Sequence, residues 1–176
     1  MIKEGCDSMG DKILYQDEII SVKESVKENN KYIYTHEEIS GGKRIVVLPF
    51  RKKIGGRQFL LRREFIPCWD SHTDVCAISS KVLNDNPEQT AVDEIAKDTG
   101  YTIKGTELIR LGVVSASKSS DTTYYLYGLD LSKNDKEQEK LEIHEDMTFW
   151  GEETDIMDSI DAQLVACYGK LRFLFF

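Results

Sequence analysis

Asn86-Pro87-Glu88-Gln89-Thr90-Ala91-Val92-Asp93-Glu94-Ile95-Ala96-Lys97-Asp98-Thr99-Gly100-Tyr101 is the stretch on which the reading of this chain turns. Asn86 can cap a helix, and Pro87 suits its first position, where the missing N–H costs nothing. Ala91, Ile95 and Ala96 recur at helical spacing, and Gly100 can close the helix in the left-handed conformation. The spacing predicts a helix over 87–99. Glu94 and Asp98 are four apart, so both carboxylates project from one face, one turn from each other. Stacked like charges repel unless a hard cation such as Mg²⁺ or Mn²⁺ bridges them. Asp85, just before the helix, could add a third oxygen. The plainer reading is a solvated helix face.

Strand signals surround this helix. Before it come Lys12 to Tyr15, Ile19 to Val22 and Lys31 to Thr35, the last after a turn at Asn29-Asn30. These read as an N-terminal antiparallel sheet. Arg44 to Phe50 and Gln58 to Phe65 follow as strands, with Gly55 and Gly56 supplying a hairpin turn between them. Asp74 to Ile78 reads as one further short strand. After the helix come strands from Leu108 to Val114, from Thr122 to Leu131 and from Met147 to Trp150. Ser132 to Lys140 reads as a charged loop. A terminal amphipathic helix is expected from about 157 to 175, with Ile160, Leu164, Cys167 and Leu171 on one face. Strands, a helix, more strands and a final helix make an α+β pattern with a mixed sheet between helices.

The bulk properties are consistent with that pattern. The 176 residues suit one domain, and 40% hydrophobic content can fill a core. With 23 Lys+Arg against 31 Asp+Glu, the net charge is -8. That balance argues against nucleic acid and anionic membranes as partners. A small anionic ligand needs only a local cation or metal. Cys6, Cys68, Cys76 and Cys167 form no Cys-x-x-Cys pair, so zinc is not expected, and free thiols suit a reducing cytoplasm. The first residues lack the apolar core of a signal peptide, and no apolar run reaches bilayer-spanning length.

The run from Ser79 to Tyr101 resembles the Nudix box, Gly-x5-Glu-x7-Arg-Glu-U-x-Glu-Glu-x-Gly-U, where U is bulky and apolar. With Gly100 on the late glycine, Ile95 and Tyr101 take bulky positions. Glu94 takes the glutamate after the arginine, Asp98 the last glutamate and Asp85 the early one. Ser79 replaces the first glycine, Asp93 the arginine, and Lys97 the first glutamate of the final pair. The exchange at 93 and 97 conserves net charge and would form an i,i+4 ion pair of reversed sign. The flanking strands resemble the ADP-ribose pyrophosphatase branch of the Nudix superfamily over nearly the whole chain. Arg63-Glu64-Phe65-Ile66-Pro67 is similar to that branch's Arg-Glu-Tyr-Arg-Pro strand end.

That resemblance implies an α/β/α sandwich with a mixed sheet over 43–176 and an N-terminal β extension over 1–42 that builds a homodimer. It implies a metal-dependent pyrophosphohydrolase acting on a nucleoside diphosphate linked to another group, with ADP-ribose or a nucleotide sugar as default substrate. Mg²⁺ or Mn²⁺ would sit on Glu94, Asp98 and Asp85, and catalysis would fall to Glu94, Asp98 and a late-loop base. Glu142 and Glu145 would be the candidates for that base. Arg62 and Arg63 would contact phosphate. Because the box is degenerate, two other readings stay open. One is a catalytically impaired Nudix fold that binds a nucleotide or protein partner. The other is an unrelated α+β interaction domain.

Overall fold

A computed structural model describes residues 11–68, 73–133 and 147–175. Among these described residues ten strands form one mixed sheet. They are β1 (Lys12–Gln16), β2 (Ile20–Lys27), β3 (Asn30–Glu37), β4 (Lys43–Lys53), β5 (Gly56–Phe65), β6 (Thr73–Cys76), β7 (Ile78–Lys81), β8 (Leu108–Ser117), β9 (Ser120–Asp130) and β10 (Thr148–Gly151). The α-helices among the described residues are α1 (Pro87–Thr99), α2 (Glu153–Met157) and α3 (Ala162–Phe175). Among the described residues no helix is long and apolar enough to cross a membrane.

β4 is the centre of the sheet. It runs parallel to β9, while its first half pairs with β7 and its second half with β5, both antiparallel. Its run of apolar residues reflects burial on both faces. Ile45 and Val47 point to one side, where they join Ile78, Ala91 and Ile95 beneath α1. Val46, Leu48 and Phe50 point to the other, where they meet Leu164, Cys167 and Leu171 of α3. The period-two alternation of a strand thus builds both cores from one segment. Gly128 on β9 lets α3 come close, since a Cβ there would lie 2.8 Å from Leu171 Cδ1.

The expected bounds of α1 hold. Asn86 Oδ1 accepts from the Gln89 N–H at 3.1 Å, and Gly100 closes the helix at φ 70°. Asn86→Ala is expected to cost about 1 kcal/mol, read as a fall in the urea midpoint at unchanged slope. An unchanged midpoint would mean the cap contributes nothing.

Three expectations need correction. The 74–78 stretch is not one strand: β6 pairs with β5, and β7 pairs with β4. The switch falls at Ala77, whose N–H donates to Asp161 Oδ2 at 3.2 Å. The terminal helix is not continuous from 157, because the chain breaks between α2 and α3. Ser159 Oγ donates to the Val75 carbonyl at 2.6 Å, and Asp161 Oδ1 accepts from the Gln163 N–H at 2.9 Å. Side chains that satisfy backbone groups in this way compete with helix continuation. Ile160 lies in that break and is exposed, while Leu164, Cys167 and Leu171 are buried as expected. The first hairpin turns at Glu28 and Asn29, both at positive φ, and Asn30 already belongs to β3.

The N-terminal strands β1 to β3 join the sheet through a single parallel pairing, Thr35 with Ser120. A second tie is ionic. Gly41 and Gly42, both at positive φ, fold the chain back after β3. Arg44 then grips Glu37 with two hydrogen bonds, of 3.0 and 2.7 Å. Ser40 Oγ donates to Glu37 at 2.6 Å, and Lys81 Nζ lies 3.3 Å from it.

Candidate functional site

The functional residues expected on α1 do gather at its outer turn, but with partners the sequence did not indicate. Glu94 and Asp98 lie on one face, with side chains only 12% and 10% exposed. Each is engaged by a cation of the chain itself. Lys97 Nζ donates to Glu94 Oε1 at 2.8 Å and lies 3.9 Å from Asp98. Arg62, on β5, donates to Asp98 and also lies 3.3 Å from Glu64. Residues 62 and 64 share one face of β5, so the strand delivers both to the helix carboxylates. The charges sense one another. Burial raises the Asp98 pKa, with Arg62 opposing and Glu94 adding to the rise. Burial likewise raises the Glu64 pKa, and Asp161, Asp98 and Glu94 push the same way against Arg62.

The reversed ion pair expected between Asp93 and Lys97 does not form. Asp93 is exposed and accepts from the Gln89 side chain at 2.7 Å, while Lys97 turns to Glu94. Both spacings are geometrically open on a helix. The buried carboxylate wins because attraction is stronger where water is excluded.

Beside this cluster lies a cavity of about 450 Å³, within the range typical of small-ligand sites. It sits between β2 and β3 of the extension and the β4, β5 and β9 face near the start of α3. Its polar wall includes His36, Glu37, Arg44, Glu64, Tyr124 and Asp161. Glu64 therefore belongs to both the cavity and the helix cluster. Ser79, aligned with the first glycine of the box, also lines the cavity. His36 Nδ1 is 2.8 Å from Asp121 Oδ2, which fixes the ring. Burial works to raise the Glu37 pKa, but the bonds from Arg44, Ser40 and Lys81 prevail and bring it down to about 2. Asp161 is raised by burial despite its backbone N–H donors.

The other expected site residues fall elsewhere. Asp85 is exposed, at positive φ, and pairs with Lys43. Arg63 stacks over Phe149, with Cζ 4.6 Å from the ring centre. Arg62 and Arg63 are not among the cavity-lining residues. Glu142 and Glu145 lie outside the described residues. Cys68, Cys76 and Cys167 are free thiols, and burial pushes the Cys76 thiol up to about 12. His36, Glu37, Arg44, Tyr124 and Asp161 are not singled out by any motif of the sequence, and Glu64 enters only within the Arg63–Pro67 strand end. A further signal is the opposite charge at 37 and 44 across Gly41-Gly42.

Whether these residues suit a divalent ion follows from the same geometry. Three carboxylates, Glu64, Glu94 and Asp98, supply hard oxygen donors. Each already accepts a cation of the chain. Among the described residues no three His, Cys, Asp or Glu side chains come together as a metal-ligating group. The set as it stands does not fit Mg²⁺ or Mn²⁺, which would have to displace Lys97 or Arg62.

No family model and no curated protein matches the chain. A solved structure does match, the crystal structure of an ADP compounds hydrolase. It is similar at a TM-score of 0.60 and 13% identity, over 95% of this chain and 95% of that one. The class defined here is therefore structural: the chain has an α+β, Nudix-like fold, a mixed sheet between helices.

Proposed function

We propose that this chain is a Nudix-fold protein that binds a nucleoside diphosphate linked to another group, ADP-ribose or a nucleotide sugar by default, and hydrolyses it poorly. The observation that carries this reading is the pairing of both helix carboxylates with internal cations, Lys97 on Glu94 and Arg62 on Asp98. A diphosphate hydrolase of this kind relies on metal ions to neutralise the leaving phosphate and activate water. Here one oxygen of each carboxylate, Oε1 of Glu94 and Oδ2 of Asp98, already accepts from a cation of the chain. Binding needs less: the cavity offers His36, Tyr124 and the Glu37-paired Arg44, and the Lys97 ammonium is exposed on α1.

A second reading is the metal-dependent pyrophosphohydrolase itself, with Mg²⁺ or Mn²⁺ on Glu94, Asp98 and Asp85, Glu142 as base, and Arg62 and Arg63 on phosphate. The likeness of fold to an ADP compounds hydrolase favours it, as does the third carboxylate at Glu64. One experiment separates the two: incubation with ADP-ribose and a panel of nucleotide sugars under Mg²⁺, Mn²⁺ and chelator, following AMP release and melting temperature together. Stabilisation without turnover is expected. Rapid metal-dependent AMP release, lost in Glu94→Gln, would establish the second reading instead. No stabilisation and no turnover would remove both.

The implied homodimer belongs to the same reading. Ile13, Tyr15, Tyr32 and Ile33 of the extension are exposed in the single chain. Light scattering that gives the monomer mass would remove that part of it.

A further inference from the structure

We propose that Lys97 replaces one divalent cation, so that ligand binding at this site is independent of metal; the inference deepens the binding reading above and rests on it only for the ligand. The argument begins with charge. A lysine where the box has a glutamate adds two positive units beside Glu94 and Asp98, the charge of one divalent ion, while the offsetting Asp93 is exposed and bonded to Gln89. The position of the ammonium fits that role. Lys97 Nζ is 2.8 Å from Glu94 Oε1 and 3.9 Å from Asp98 Oδ1, so one cation lies near both carboxylates expected to share a metal. Arg62 closes the far side by contacting Asp98 and Glu64. Three carboxylates then face two fixed cations, and an added divalent ion would meet a nearly balanced site. Exposure supplies the second requirement. The Lys97 side chain is 70% exposed, whereas its carboxylate partners are almost covered. Its remaining N–H donors therefore face solvent and are open to an anionic group.

The test uses the full chain and Mn²⁺ alone, followed by loss of the free-ion electron paramagnetic resonance signal. Wild-type protein is expected to bind Mn²⁺ weakly. Lys97→Glu is expected to bind it at least about tenfold more tightly and to gain a Mn²⁺-dependent rise in melting temperature. Lys97→Gln, which removes the cation without adding a carboxylate, should fall between them and covers the case where Lys97→Glu does not fold. A parallel arm measures ADP-ribose binding by calorimetry with Mg²⁺ and with chelator. Equal wild-type affinity in both is expected. Tight Mn²⁺ binding by wild type, or no gain in folded Lys97→Glu and Lys97→Gln, would overturn the proposal. Wild-type affinity that collapses in chelator would do the same. If ADP-ribose does not bind but the Mn²⁺ gain appears, the charge replacement stands and the ligand assignment fails.

Discussion

Ile95→Ala is expected to lower stability by about 3 kcal/mol and the melting temperature by about 6–12 °C. Ile95 is fully buried, packed with Ile45, Val47 and Ile78 between α1 and the sheet. Truncating it leaves a cavity under the helix that carries Glu94, Lys97 and Asp98. A native core relaxes only partly around such a loss, so both transfer and cavity costs apply. Asp93→Ala makes the contrast. Asp93 is exposed on the same helix, and its one described side-chain bond comes from Gln89. Its removal is expected to stay within about 0.5 kcal/mol. Chemical denaturation of the two variants beside wild type measures both. Equal losses would mean α1 is not anchored through Ile95, or that Asp93 has a structural partner.

Glu37→Gln is expected to cost about 2–3 kcal/mol at pH 7 and to change the pH dependence of stability. The carboxylate accepts two bonds from Arg44 and one from Ser40, with Lys81 alongside. Glutamine keeps the shape but leaves a half-buried guanidinium without its charge partner. The sign follows from the folded pKa of about 2, below the ordinary value of 4.5. The folded chain binds the Glu37 proton less readily than the unfolded chain does. Its stabilisation is therefore complete above about pH 5 and is lost as pH falls from 4.5 towards 2. Melting temperatures from pH 7 down to pH 2.5 should show wild type and Glu37→Gln well separated at neutral pH and converging in acid. A constant gap across that range would show that the charge is not what holds the extension.

Local chemistry made part of this legible beforehand. The span of α1 was readable because its cap, first-turn proline and closing glycine are all within the segment. β4 was readable because its alternation serves two cores at once. The two strand-and-helix breaks were not readable. At Ala77 and at 158–161 the deciding bonds join residues 84 positions apart, Ala77 with Asp161 and Val75 with Ser159. No window on the sequence spans that distance.

The candidate site divides along the same line. By itself the sequence determined that Glu94 and Asp98 share a helix face one turn apart, and that Lys97 stands between them in the chain. Helical geometry guarantees this from spacing alone. Only the tertiary structure decided which charges meet. Packing α1 on the sheet buries Glu94 and Asp98, leaves Asp93 in water, and brings Arg62 and Glu64 in from β5. Water screens the exposed carboxylate and not the covered ones, so the lysine follows burial rather than spacing. A pattern of residues that read as an open metal site is thereby closed by the chain's own cations.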